Sequence, residues 1–186
     1  MSRHEMVGDS FRLGFRFQRH WDVSMASAFF CGELGAGLFL VSMLCGSVPG
    51  LVLGLLITGI GKPLFHLTHM GVPGKSWLAI ARPDRSWTSR GLIAIVVFSG
   101  AGALHAILAI SGNSGRFDIA LQVLAGAAAL VVMTYQGFAM AHSSAIALWS
   151  TAMMPFSSLL YALTGGVIMT LLLQAGRLAP RSGLLR

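Results

Sequence analysis

The sequence predicts an all-α integral membrane protein, a bundle of about five transmembrane helices, on three observations. Of its 186 residues 55% are hydrophobic and only 10% charged, with a mean hydropathy of +0.75, a balance outside the range of soluble domains. The apolar residues fall into five runs, each close to the ~20 residues that cross a ~30 Å hydrocarbon core. Glycines inside the runs, such as Gly32, Gly35, Gly37, Gly50 and Gly54, let helix backbones approach closely where lipid supplies no hydrophobic drive between them.

Residues 1–22 form a polar arm that alternates Phe with Arg (Phe11, Arg12, Phe15, Arg16, Phe17, Arg19). It reads either as an interfacial segment with its rings at headgroup level or as a docking arm. The next apolar run is too long for a signal-peptide core, so it is expected to be an uncleaved span. Spans are expected at about Val23 to Cys45, Pro49 to His66, Leu92 to Ile110, Ile119 to Ala141 and Met154 to Leu173, within a bundle of residues 23–175. Gly46 to Pro49 and SGNSGRFD make short turns, 67–90 a polar loop, Ser143 to Thr151 a loop or interfacial turn, and 176–186 a short tail. Cys31 and Cys45 lie fourteen residues apart on one helix and cannot close a disulfide, and no CxxC pair exists to hold a metal or cluster.

The stretch Gly59 to Gly91 is the polar hub, with five of the thirteen Lys and Arg residues, two of six His and two of four Trp. The net charge of +7 does not point to nucleic acid, because the basic residues sit between and beside apolar spans. With five spans, the hub shares one side with the N-terminus. That side carries Arg3, Arg12, Arg16, Arg19, Lys62, Lys75, Arg82, Arg85 and Arg90, against Arg116, Arg177, Arg181 and Arg186 on the other. Positive-inside counting places the N-terminus in the cytoplasm. All four tryptophans and five of six histidines fall on the same side, unlike an aromatic belt that populates both interfaces.

Few residues can carry chemistry. Glu33 lies about ten residues inside the first span and eleven from Asp22, which puts both acids on one helical face. They read as proton-transfer groups, or Glu33 as a protonated packing residue, since an intramembrane carboxylate must face the bundle interior or a wet cavity. Tyr135 and His142 are seven residues apart, and His66 and His69 three, each pair on one face. A phenol and imidazoles at the rim of an apolar bundle suit the carbonyls of a quinone, and His carries protons as well; the alternative is interfacial anchoring. His105 lies ~22 Å beyond Arg90 along a straight helix and reads as a packing hydrogen-bonder; the alternative, two facing histidines on a haem iron, pairs poorly with the depths of His66, His69 and His142.

The ordered elements FFCGELGAGLFL, GKP, WLAIARPDRSWTSRG, TYQGF and LWSTAMMPFSSLLYALTGG resemble the NrfD/polysulfide reductase membrane subunit family and the related DMSO reductase anchor subunits. The resemblance covers about residues 20 to 170. It implies a quinone-reactive anchor without a redox metal of its own, in the cell inner membrane. Electrons would pass between menaquinone or ubiquinone and a docked iron–sulfur subunit, itself wired to a pterin-dependent molybdenum catalytic subunit. By position Tyr135 matches the family tyrosine thought to face the quinone head, and Asp22 the polar start of the first span. Lys75, Arg82, Arg85, Trp87 and Arg90 would dock the partner. The chain departs from the family in three ways: Lys62 stands in a GRP-like signature, FHLTHMGVPGKSW lengthens the hub, and about five spans replace eight or more. The competing expectations are a b-type cytochrome subunit with His-ligated haem and a non-redox transporter or scaffold.

Overall fold

Among the described residues of the computed structural model, five helices are long and apolar enough to cross a membrane, which makes the chain an all-α, multi-pass membrane bundle. The structure describes residues 22–113, 115–142 and 149–178. The N-terminal arm with Trp21, the connection 143–148 and the tail 179–186 lie outside the described residues, as do the expectations that fall on them.

Helix α1 (Val23–Leu44) begins where Asp22 accepts a hydrogen bond from the Met25 amide, and it ends at a turn through Gly46, whose φ of +65° suits glycine. The second span is composite: α2 (Val48–Leu56), a π-helical turn (Ile57–Gly61) and α3 (Lys62–His69). A 3₁₀ segment (Pro73–Ile80) leads to α4 (Trp87–Ile110), capped by Ser86. After the Gly112 turn come α5 (Arg116–Ala141) and α6 (Met153–Leu178). The chain alternates, so Asp22, His69, Trp87 and the end of α5 share one face of the bundle, the hub end, while the Gly46 and Gly112 turns form the other.

Three expected boundaries move. The second span runs on to His69 instead of ending at His66, and α4 starts at Trp87, so the polar loop shrinks to Met70 to Ser86. Helix α6 continues to Leu178, into the expected tail. Lys62, counted with the loop charges, is inside the bundle and 2% exposed. A lysine near the end of an apolar run is readily counted with the surface charges, yet neighbouring helices supply the oxygens that keep it within the span. Without it the count expected from the sequence for the hub side is eight basic residues against four.

Helix α1 is the central strut, packed against α2, α3, α5 and α6, while α4 packs on α5 and α2. Its glycines each clear a different neighbour. A methyl group added at Gly37 would overlap the Ala162 carbonyl of α6, and one at Gly35 would overlap Thr58 Oγ1 on the second span. The apolar core between them contains Phe39, Phe98, Leu51, Val132 and Met133, with Phe39 and Phe98 edge to face at 4.9 Å.

Candidate functional site

A polar cluster joins four helices at the middle of the bundle. Lys62 extends from the first turn of α3 into the space left by Gly32, where an added methyl group would lie 2.8 Å from its Nζ. Its ammonium donates to Gln136 Oε1 on α5 and to the Ala28 carbonyl on α1 at 3.4 Å. The same nitrogen lies 5.0 Å from the Tyr135 ring centroid and 5.5 Å from that of Phe29, distances at which ring quadrupoles attract a cation. Gln136 passes the network on, because its Nε2 donates to the Phe29 carbonyl at 3.2 Å and reaches Glu33 Oε1 at 3.5 Å. Ser158 Oγ on α6 closes it, donating to Glu33 Oε1 at 2.7 Å. The order is ammonium, amide, carboxylate, hydroxyl, contributed by α3, α5, α1 and α6.

The carboxylate end of this cluster opens on a pocket of about 460 Å³ lined by Phe29, Phe30, Glu33, Met140, Ser158 and Tyr161, among others. Phe30 and Tyr161 are 63% and 73% exposed, so the pocket opens on the outer surface of the bundle between α1 and α6. Its volume is in the range of small-molecule sites, and it matches their pattern of apolar walls with a few convergent polar groups. Ionisable groups inside a span are costly, and a bonded, partnered set beside a cavity is where they are used.

The expected site residues separate into three places. Tyr135 is in the core, its ring packed against Gly91 and under the Lys62 ammonium, and it does not line the 460 Å³ pocket. His142 caps α5, with Nδ1 2.9 Å from the Phe138 carbonyl and its ring 6.3 Å from Trp87. It lines a separate groove of about 580 Å³ between α5 and the start of α6. His66 and His69 follow Lys62 along α3, with His69 Nδ1 3.1 Å from Asp22 Oδ1. Asp22 and Glu33, expected to act along one face, differ in surroundings: Glu33 is in the cluster, while Asp22 caps α1 at the surface.

That cap predicts a pH response. The Met25 amide, and with it Ser24 and His69, hold the Asp22 carboxyl down from 3.8 to about 2. A carboxyl whose folded value is depressed contributes stability above its unfolded value and loses it as pH falls through the folded one. Protection of the Met25 amide against hydrogen exchange, corrected for intrinsic rate, is therefore expected to persist above pH 3.8 and to decline toward about 2. Asp22→Asn is expected to remove that decline.

The hub is braced by residues expected to dock a partner. Trp87 stacks on Phe138 at 4.2 Å with an 11° tilt, and the Arg90 guanidinium lies 4.4 Å from the Trp87 ring centroid. Arg90 also donates to the Pro83 and Asp84 carbonyls at 2.8 and 3.0 Å, folding the loop over the start of α4. Lys75, Arg82 and Arg85 are exposed, beside the exposed Trp77, Leu78 and Ile80.

No family model, curated protein or solved structure matches this chain. The chemistry of the cluster follows from its own geometry. Sequence reasoning found Glu33 but missed Lys62, Gln136 and Ser158 as its companions. One signal was present: Thr58, Lys62 and His66 recur at intervals of four, which puts them on one helical face. For Gln136 and Ser158 the sequence carries no comparable sign.

At the turn end, His105 Nδ1 lies 2.6 Å from Asp118 Oδ1, and Gln122 donates to Asp118 Oδ2 at 3.0 Å. This buried pair joins α4 to the first turn of α5. Among the described residues no group of three or more His, Cys, Asp or Glu side chains is arranged to hold a metal ion.

Proposed function

We propose that the chain is the quinone-reactive membrane anchor subunit of a multi-subunit molybdenum and iron–sulfur oxidoreductase, passing electrons between a membrane quinone and a docked iron–sulfur protein. The observation that carries this reading is the outer-surface pocket with Glu33 at its base, backed by the Lys62 and Gln136 chain. A quinone head entering from the bilayer would meet a carboxylate and the Ser158 hydroxyl, while the rings of Phe29 and Phe30 would flank it. Oxidation of a quinol releases two electrons and two protons. The electrons would leave to the iron–sulfur partner, and the Glu33 carboxylate would take the two protons one after the other, giving up the first to water before it accepts the second; reduction runs the same transfers backward.

The ordered motifs that resemble the NrfD family support the partner assignment. The exposed Lys75, Arg82 and Arg85 at the hub end offer that partner a basic surface, and the excess of basic residues there supports a cytoplasmic hub in an inner membrane. In this reading the quinone head moves from Tyr135 and the histidines to Glu33 and Ser158, and Tyr135 holds Lys62 in place through its ring.

The test is whether the chain, purified in lipid nanodiscs, carries quinone and loses it when the pocket is filled. Ser157 lines the pocket and is half-buried, so Ser157→Phe is expected to reduce bound quinone at least about tenfold with the helices intact by circular dichroism. Equal quinone content in the variant and the parent protein would remove the pocket from the mechanism.

A further inference from the structure

The second span presents polar side chains to α1 in a file. Thr58, Lys62 and His66 follow at intervals of four, and His69 comes three residues later, a spacing that stacks them on one helical face. Helix α1 meets this face closely through small residues: Gly35 borders Thr58, Gly32 borders Lys62, and Asp22 at its start meets His69 at 3.1 Å. Two members of the file are buried and unpartnered, Thr58 Oγ1 and His66 Nδ1, and Thr58 is 0% exposed. Buried polar atoms in folded proteins nearly always have a partner, and where protein offers none an ordered water does. The two orphans lie one turn to either side of Lys62. The π-helical turn Ile57–Gly61, where Thr58 sits, is a form that recurs at functional sites inside helices.

We infer that a file of water molecules runs between α1 and the second span, from Asp22 and His69 at the hub end, past His66, to Lys62 and Thr58. Along it protons move between the hub-side solution and the Lys62, Gln136 and Glu33 cluster. Each transfer is a simple exchange: His66 takes a proton on one ring nitrogen and releases another from the second, with water as the carrier on both sides. The file gives the quinol protons of the proposed reaction an exit on the face where its electrons leave. Its use rests on that reading, whereas its water content does not. His66 and His69 thereby become proton carriers, and Asp22 becomes the entrance group.

Two measurements on the full chain in nanodiscs test it. A structure at a resolution that shows water is expected to place water within hydrogen-bond distance of both Thr58 Oγ1 and His66 Nδ1. Both atoms found dry, or bonded to protein groups, would overturn the file whether or not the chain handles quinone. In the assembled complex, His66→Phe is expected to lower kcat for quinol turnover at least about tenfold with quinone affinity unchanged, and His66→Gln, which can still hold water, to lower it less. Unchanged kcat, or a loss of quinone affinity in its place, would overturn the carrier role. If the parent chain neither binds nor turns over quinone, the proposed function fails and the water structure alone decides the file.

Discussion

Glu33→Gln is expected to lower quinol turnover of the assembled complex by at least about a hundredfold while leaving the fold intact, the scale of losing a positioned proton acceptor. Glutamine keeps the length and shape of glutamate, and its carbonyl oxygen can still accept from Ser158 Oγ, now 2.7 Å from Glu33. It can also face Gln136 Nε2, so the packing of α1, α5 and α6 has no reason to change. What is lost is the group able to take a proton at the base of the pocket. Glu33→Asp, one methylene shorter, pulls the carboxylate back from Ser158 and is expected to fall between the two. Turnover and thermal unfolding measured on the same preparations separate the effects. A Gln variant with parental turnover and an unchanged melting temperature would sink the assignment of Glu33.

The second large effect is on stability. Lys62→Met keeps most of the side-chain volume but removes the donor that satisfies Gln136 Oε1 and touches the Ala28 carbonyl. A buried acceptor stripped of its partner costs about 1 to 3 kcal/mol, and a neighbouring carboxylate deprived of the cation in its network adds to that, for a total of about 2 to 4 kcal/mol. Reversible unfolding in mixed micelles measures this directly. The double variant Lys62→Met with Gln136→Leu removes the orphaned amide too, and it is expected to recover at least half of the loss. That non-additivity is the signature of two side chains acting as a unit. A single variant within about 0.5 kcal/mol of the parent protein would show that Lys62 is not held by the network.

The helix count and the membrane setting were legible from hydropathy, because a span must satisfy its backbone internally and exclude charge for about twenty residues. Turn chemistry was legible too: Gly46 and Gly112 take the positive φ that glycine allows. The second span was legible to within three residues of its end, but Lys62 inside it was counted with the surface charges for a definite reason. Lys62 and Pro63 interrupt an apolar run, and a lysine there reads as the membrane surface. In the bundle the charge is met by Gln136, seventy-four residues away, and by ring faces of Phe29 and Tyr135.

Tyr135 illustrates the same limit from the other direction. Its spacing from His142 set both on one face, and a rim position followed if that face looked outward. Close approach of α4 through Gly91 turned the tyrosine into core, while His142 stayed at the helix end beside Trp87. Trp87 and Arg90, read as docking groups from their charge and aromatic character, stack on each other and brace the loop. Local sequence tells which residues can hydrogen-bond or stack, not which partner reaches them first.

By itself the sequence determined the class of the protein, its five crossings, and a membrane-buried carboxylate at Glu33, since each depends on composition and spacing along one helix. Only the tertiary structure decided that Lys62, Gln136, Glu33 and Ser158 form one cluster, that it opens on the outer surface of the bundle, and that Thr58 Oγ1 and His66 Nδ1 are left without protein partners. The physical reason is distance in the chain: these contacts join four helices, and a polar side chain inside a membrane bundle gains its chemistry from groups that the fold alone brings within reach.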